Sequence, residues 1–200
     1  MIVKTYPLGS LQTNCYIAID EETNKAAIID PGAQAKYLIK EIEALGIEID
    51  VILLTHCHFD HNGAVVELKD KYKVDVYLNE AEEEYMNIDT SGIFGKLPKF
   101  YKYLYEGQEI KVGSLTFKTI FTPGHTKGGT CFLVEDNVFT GDTLFNTSIG
   151  RTDFLGGSYN ELINSIETKL MILDSNVNVY PGHGPKSTII HERMKNPFLA

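Results

Sequence analysis

The sequence predicts one α/β domain in which antiparallel β-hairpins are combined with strand–helix units. Short runs rich in Ile, Val and Phe predict strands, and apolar residues at helical spacing predict helices between several of them. Short turns join the early runs, as is typical of antiparallel strands. One apolar run is followed by the segment His56 to His61, which has the pattern H-x-H-x-D-H and is the centre of the functional prediction.

Composition and charge narrow the class of protein. The 200 residues are 43% apolar and 22% charged, which is ordinary for one globular domain spanning 1–200. The net charge of −9 argues against a nucleic-acid partner, because phosphates require a basic surface. No leader segment or membrane-length apolar run is visible, and Cys15, Cys57 and Cys131 show no C-x-x-C spacing. We therefore expect a cytoplasmic protein with reduced thiols and no membrane partner.

The first half of the chain is predicted to begin with hairpins and to continue with strand–helix units. Apolar runs bounded by turn residues predict strands at 2–8, 14–19, 25–30, 51–54 and 74–78. Apolar residues at helical spacing predict helices across 38–45, 60–72 and 81–86. Gly46 is typical of the residue that ends a helix, and the acidic residues of 81–86 indicate a solvated helix face.

The second half repeats this mixture. Strands are predicted at 109–112, 115–122, 130–135, 138–140 and 177–180, with Asp136-Asn137 as a two-residue turn. Helices are predicted at 158–170, where Ser158 and Glu161 have capping-box spacing, and at 187–195. Between the halves, 87–106 carries several aromatic residues without a clear period. It is either a lid over a pocket or an irregular segment packed on the core.

The segment His56–His61 predicts a metal site. Residues two apart in an extended chain point the same way, so His56 and His58 share one face at the end of a strand. Asp60 and His61 follow where the chain turns into a helix. Neutral imidazole and carboxylate groups are ligands that suit zinc, iron or manganese.

Three further candidate ligands follow other predicted strands. His125, Asp142 and His183 each come directly after a strand and a glycine that permits a tight turn. Strands that deliver side chains to one edge of a sheet place them at a common site, which is where α/β proteins bind their ligands. We expect these residues to join the His56–His61 segment.

These motifs resemble those of the metallo-β-lactamase superfamily. The matching features are the H-x-H-x-D-H run, Gly124-His125-Thr126, Gly141-Asp142-Thr143 and Gly182-His183-Gly184. Gly141 to Phe145, followed by Gly150 to Asp153, is similar to the glyoxalase II branch, the hydroxyacylglutathione hydrolases. The resemblance implies a four-layer αββα sandwich. Seventeen residues follow His183, so the resemblance does not include the helical domain that grips glutathione in two-domain glyoxalase II enzymes.

The resemblance also implies two divalent metal ions, zinc first, with iron or manganese as alternatives. Its ligand sets are His56, His58 and His125 for one ion, Asp60, His61 and His183 for the other, and Asp142 as the bridge. Such a pair would lower the pKa of a bound water toward about 7, which would supply hydroxide at neutral pH. Asp60 is in addition a candidate catalytic residue that orients the attacking water.

Two residues near the predicted ligands, Arg151 and Asp30, have two interpretations each. Arg151 stands where glyoxalase II relatives carry a basic residue that faces the substrate, so it is a candidate for holding a substrate carboxylate. The alternative is a salt bridge to Asp153. Asp30 is either a partner of a ligand imidazole or a turn cap. Cys57 is expected to face the core, and His191 the surface.

The sequence therefore predicts a metal-dependent hydrolase of a small-molecule thioester, of the hydroxyacylglutathione type. A second class remains open, because persulfide dioxygenases resemble this chain as well. Those enzymes use a single iron, which here would be held by His56, His125 and Asp142. β-Lactamase activity is disfavoured by the missing secretion signal, and the oligomeric state is not predicted.

Overall fold

Two six-stranded β-sheets form the middle of the molecule in a computed structural model that describes residues 1–199. The strands are β1 Ile2–Leu8, β2 Thr13–Ile19, β3 Lys25–Ile29, β4 Glu48–Leu53, β5 Asp75–Asn79, β6 Lys102–Leu104, β7 Glu109–Val112, β8 Leu115–Phe121, β9 Thr130–Val134, β10 Asn137–Gly141, β11 Leu144–Phe145, β12 Ser148–Ile149, β13 Asn178–Pro181 and β14 Ser187–Thr188. The first sheet has the order β1-β2-β3-β4-β5-β6, and the second has the order β14-β13-β10-β9-β8-β7. Strands β11 and β12 pair as a separate short hairpin.

Six α-helices are present within the same range. They are α1 Ala35–Leu45, α2 Phe59–Asn62, α3 Val65–Tyr72, α4 Glu80–Ile88, α5 Tyr159–Ser165 and α6 Ile189–Lys195, and a π-helical turn, Ile166–Leu170, continues α5. As predicted, Gly46 ends α1 in the left-handed conformation, and Ser158 caps α5 by accepting a hydrogen bond from the Glu161 backbone N–H. Among the described residues, none of these helices is long and apolar enough to span a bilayer.

Side-chain alternation along the strands produces four layers. In β2, Ile17 packs with α1 and α3 on one face of the sheet, while its neighbour Tyr16 packs between the two sheets. In the second sheet, Phe139 points to the same inter-sheet core, and Val138 packs with α5. Strand β2 is buried along its whole length because both of its faces are covered. The αββα sandwich predicted from the family resemblance is confirmed.

The strand directions bring the candidate ligands to one edge. Strands β3 and β4 are parallel, and so are β10 and β13. Strand β8 has the same direction as β10, because both are antiparallel to β9, which lies between them. All of these strands end at the same side of the sandwich. His56 therefore follows β4, His125 follows β8, Asp142 follows β10 and His183 follows β13 at a common edge.

Two local predictions were wrong. The helix predicted across 60–72 is divided into α2 and α3, because the chain packs there against the loop after β3. A Cβ on Gly63 would lie 2.4 Å from the Gly32 carbonyl oxygen, and the Ala64 N–H donates to the Pro31 carbonyl instead of continuing the helix. The β9–β10 turn lies one residue earlier than predicted, since Glu135 adopts the left-handed conformation.

The aromatic residues of 87–106 pack mainly on the core. Phe94 is buried and stacks on Tyr85 of α4, with ring centroids 5.6 Å apart. Phe100 and Tyr101 pack against the outer face of the first sheet. These rings therefore follow the core-packing interpretation. Ile93 of the same segment lines a pocket that lies beside the candidate ligands.

The inter-sheet core yields a stability prediction. Phe139 is fully buried, and its ring centroid lies 5.2 Å from those of Tyr16 and Tyr180 and 6.5 Å from that of Phe117. We expect Phe139→Ala to lower the free energy of unfolding by about 3–5 kcal/mol, because it leaves a cavity between the sheets. Urea unfolding of the metal-free protein measures the change. The control is Tyr105→Ala, an exposed aromatic, and equal losses in the two variants would contradict this assignment of the core.

Candidate metal centre

The seven predicted ligands lie together at the strand-end edge. Their ligand atoms form three overlapping groups in which all atoms lie within 4.8 Å of one another. The groups are His56, His58 and His125; His56, His61 and Asp142; and Asp60, His61 and His183. The structure thus brings together every residue that the sequence assigned to the site, and this cluster is fit for metal binding.

The first group is formed by three imidazoles. His56 Nε2 lies 3.1 Å from His58 Nδ1, and His125 Nε2 lies 3.0 Å from the same His58 atom. His58 is still extended, with φ −63° and ψ 148°, immediately before α2, so it remains on the same side of the chain as His56. Three ring nitrogens therefore face one another across a small space, an arrangement that suits a cation which accepts nitrogen ligands.

Asp60, His61 and His183, which we call the second group from here on, include a carboxylate and lie close to that of Asp142. His183 Nε2 lies 3.3 Å from Asp60 Oδ2, and His61 Nε2 lies 3.3 Å from Asp142 Oδ1. The other oxygen of Asp142 lies 3.5 Å from His125 Nε2 in the first group and 3.6 Å from His183 Nε2 in the second. The Asp142 carboxylate consequently lies between the two groups.

Asp30 fixes the ring nitrogens of two ligand histidines. Asp30 Oδ2 accepts hydrogen bonds from the Thr55 hydroxyl at 2.6 Å and from His61 Nδ1 at 2.9 Å. Since the Thr55 hydroxyl donates its single proton to Asp30, it must accept from His56 Nδ1, which lies 3.1 Å away. Both imidazoles therefore carry a proton on Nδ1, and Nε2 is directed at the cluster. The interpretation of Asp30 as a partner of a ligand imidazole is confirmed.

His125 and Asp60 are oriented in a similar way. His125 Nδ1 donates to the Arg151 carbonyl oxygen at 2.7 Å, and because a carbonyl can only accept, Nε2 is left free. The Thr13 hydroxyl donates to Asp60 Oδ2 at 2.6 Å. The turn that carries His183 is held by Asn14, whose amide donates to the carbonyls of Pro181 and Gly184.

Glycine is required where two loops meet beside Asp142. A Cβ on Gly150 would lie 1.7 Å from the Asp142 carbonyl oxygen, and one on Gly182 would lie 2.2 Å from Asp142 Oδ1. Any other residue at either position would displace the carboxylate. The glycines that precede the ligands in the sequence therefore do more than permit turns, since Gly182 makes room for the ligand of a neighbouring strand.

Burial and charge set the protonation of the cluster. Burial lowers the pKa of His56 well below its ordinary value, lowers that of His58 to about 3, and lowers that of His125. Burial also opposes charge on His61, but the carboxylates of Asp142 and Asp30 outweigh it and raise its pKa. The pKa of Asp142 falls to about 2, because His61 outweighs burial. Neutral imidazoles and an ionised carboxylate are the forms that bind metal, so a cation held by His61 and Asp142 would take the place of the extra proton that Asp142 and Asp30 favour on His61.

Two buried polar atoms test whether this cluster fits a metal. Within residues 1–199, His61 Nε2 and Asp142 Oδ1 are buried and have no hydrogen-bond partner, although they lie 3.3 Å apart. Unpaired buried polar atoms are costly and rare in folded proteins. A cation between them would satisfy both, so the donor set and its geometry fit a divalent metal.

Sequence reasoning missed Glu82, which is fully buried although its helix was predicted to have a solvated acidic face. One carboxylate oxygen accepts from the Cys57 backbone N–H at 2.7 Å, and the other from the Gly128 N–H at 2.9 Å. Cys57 is buried as expected and lies between two ligands, while Gly128 belongs to the loop after His125. The available signal was position: Glu82 lies four residues before buried Met86, on the apolar face of α4.

A pocket of about 440 Å³ opens beside the cluster, and we call it the main pocket. Besides ligand residues, it is lined by Leu11, Phe59, Ile93, Phe145, Ile149, Arg151 and Phe154. Leu11 and Phe59 are 51% and 48% exposed, so two large apolar side chains of the pocket lining are open to solvent. The Arg151 guanidinium pairs with Asp153, which is the alternative interpretation of this residue, while its backbone holds His125. His191 lies exposed on α6, as expected.

An αββα sandwich with clustered histidine and aspartate side chains at its strand-end edge is the architecture of a metallo-hydrolase superfamily. The chain belongs to the metallo-β-lactamase superfamily, whose family model matches residues 8–183.

The proteins that this chain resembles carry the names of different activities. Hydroxyacylglutathione hydrolase GloC of Haemophilus influenzae is 39% identical in an alignment of 210 positions, which covers 100% of this chain and 98% of that protein. The B3 metallo-β-lactamase BLEG-1 superposes with a TM-score of 0.92 at 35% identity, covering 100% of both chains. TTHA1623 in a di-iron-bound form gives 0.87 at 34% identity, again over 100% of both. ETHE1 from Myxococcus xanthus gives 0.84 at 30%, covering 98% of this chain and 84% of that one.

The position of Glu82 yields a prediction about metal affinity. In Glu82→Gln one oxygen becomes an NH2 group that must face a backbone N–H, so one of the two loops loses its acceptor. We expect zinc affinity to fall by about tenfold, the effect typical of partners that orient ligands. Titration of metal-free protein against a competing chelator measures it. Glu84→Gln, an exposed acid on the same helix, is the control, and unchanged affinity in Glu82→Gln would contradict the positioning role.

Proposed function

We propose that the protein hydrolyses small-molecule thioesters with the help of two divalent metal ions, as a hydroxyacylglutathione hydrolase-like enzyme of the cytoplasm. The observation that carries the proposal is the convergence of all seven candidate ligands, together with the hydrogen bonds that already orient the rings of His56, His61 and His125. The similarity to GloC over the full chain supports the thioester, and the likeness to a di-iron-bound protein supports two ions.

Each of the two ligand groups would hold one metal ion. His56, His58 and His125 would hold one ion, Asp60, His61 and His183 the other, and Asp142 would bridge them. Polarisation of the substrate carbonyl and activation of a water molecule near neutral pH are the chemistry that such ions supply when bound. Imidazole and carboxylate ligands without thiolate suit zinc, and equally iron or manganese.

Asp60 is the candidate for orienting the attacking water. Its carboxylate lines the main pocket, and its pKa is held below the usual range because hydrogen bonds and charge from His183 and His61 outweigh burial. An ionised carboxylate can only accept hydrogen bonds, and Thr13 occupies Oδ2. Asp60 would therefore accept a hydrogen bond from the water and direct a lone pair of that water at the substrate carbonyl.

A persulfide dioxygenase with one iron at His56, His125 and Asp142 is the alternative, and the likeness to ETHE1 supports it. The thioesterase is favoured because the second ligand group is equally well prepared. Asp30 orients His61, and Thr13 holds Asp60, although neither His61 nor Asp60 belongs to the set that would hold a single iron.

The proposal is tested by assaying purified, metal-loaded protein on S-lactoylglutathione and following thiol release. We expect hydrolysis with about two metal ions per chain. Oxygen consumption on a persulfide with one iron per chain and no thioester hydrolysis would contradict the proposal and support the dioxygenase. Turnover of a β-lactam without thioester hydrolysis would also contradict it.

The bridging role of Asp142 is tested by Asp142→Ala. Because this change removes a ligand shared by both groups, we expect the number of bound metals to fall below two. Loss of a direct ligand should cost more than the 10- to 100-fold of an orienting partner, so we expect kcat/KM to fall by more than about 100-fold. Asp136→Ala, in an exposed turn, is the matched control. Full turnover with two bound metals in Asp142→Ala would refute the bridge.

A further inference from the structure

Apart from the seven candidate metal ligands and the ions that they would hold, the lining of the main pocket carries little charge that could attract a charged substrate. Among the described residues that line it, Arg151 is the one charged side chain outside the seven clustered ligands. The remaining walls are apolar. They are formed by Leu11, Phe59, Ile93, Phe145, Ile149 and Phe154. Apolar walls of this kind bind the uncharged body of a ligand, and a few placed polar groups fix its orientation.

Arg151 does not present a free charge to this pocket. Its Nε and Nη2 donate to the two oxygens of Asp153, both at 2.7 Å, so the pair is bidentate. The guanidinium also lies over the Phe154 ring, 3.8 Å from its centroid, and this ring packs edge-on against His58. The Phe154 ring therefore contacts both the ion pair and His58 of the first ligand group.

Pairing changes what an approaching carboxylate experiences. Attraction to the guanidinium is offset by repulsion from Asp153, because the two charges lie within hydrogen-bond distance of each other. Arg151 and Asp153 are 56% and 65% exposed, so water screens the pair and each charge alters binding by only a few-fold. The balance between the two side chains, rather than Arg151 alone, decides the response to substrate charge.

We propose that the main pocket selects thioesters that carry no charge near the reacting carbonyl, and that Asp153 determines this selectivity by cancelling the charge of Arg151. This inference rests on the thioester hydrolysis proposed above. It places the glutathione-type carboxylates away from Arg151, and it makes Asp153 a specificity-determining residue.

The experiment uses two thioesters that differ in one group. The S-lactoyl thioesters of N-acetylcysteine and of N-acetylcysteine amide carry a carboxylate and a neutral amide at the same position. The measured quantity is the anionic-to-neutral ratio of kcat/KM for metal-loaded protein, compared between wild type and variants so that intrinsic reactivity cancels. We expect wild type to use the neutral thioester at least as well as the anionic one.

Asp153→Asn should raise this ratio about threefold, because it frees the guanidinium while keeping the size of the side chain. Arg151→Ala should lower the ratio, since Asp153 is left unpaired, and the double variant should return it toward the wild-type value. Salt at 0.5 M should diminish all three changes. The control is Asp75→Asn, which breaks a comparable exposed pair with Lys102 away from the pocket and should leave the ratio unchanged.

The outcomes separate the two proposals. Hydrolysis of both thioesters, with a ratio that is unchanged or lower in Asp153→Asn, would overturn the selectivity and leave the thioesterase intact. A wild-type preference of tenfold or more for the anionic thioester would likewise overturn it. Failure to hydrolyse either thioester by a protein that does hydrolyse S-lactoylglutathione would overturn this inference alone, and failure on all three thioesters would overturn the proposed function and, with it, this inference.

Discussion

The structure depends most on the hydrogen bonds of one buried carboxylate, that of Asp30. It accepts from the Thr55 backbone and hydroxyl and from His61 Nδ1, and through the Thr55 hydroxyl it also determines the proton on His56. Ligand rings held in one tautomer do not need to reorganise when a cation binds. Asp30 achieves this from a left-handed backbone conformation, φ 50°, which aspartate tolerates better than most residues. Backbone strain of this kind is concentrated at functional sites.

The sandwich explains why so many ligands can meet. Each sheet contributes strands that run in the same direction, and both sheets present their strand ends at the same edge. The inter-sheet core of Tyr16, Phe117 and Phe139 fixes the separation of the sheets, and hence the distance between ligands from β4 and ligands from β8, β10 and β13. Glu82 connects the two sets of loops from a helix outside the first sheet. Side-chain packing between the sheets, far from the site, therefore maintains the geometry of the site.

Much of this was predictable from the sequence, for physical reasons. His125, Asp142 and His183 each follow an apolar strand and a glycine. This repeated pattern is enough to indicate that the three side chains lie at a shared edge of the sheet. Features that depend on contacts between distant segments were not predictable. Glu82 is one, because its burial depends on backbone donors 25 and 46 residues away. The break between α2 and α3 is another, since it results from packing against the loop after β3. The pairing of Arg151 with Asp153 was one of two open interpretations, and only the side-chain positions could separate them.

The central claim is that one set of seven side chains holds two metal ions. Anomalous X-ray diffraction from crystals of the metal-loaded protein, recorded at the absorption edge of the bound metal, tests it most directly. The account predicts two anomalous peaks, one enclosed by His56, His58 and His125 and the other by Asp60, His61 and His183, with Asp142 between them. A single peak, or peaks remote from these residues, would contradict it.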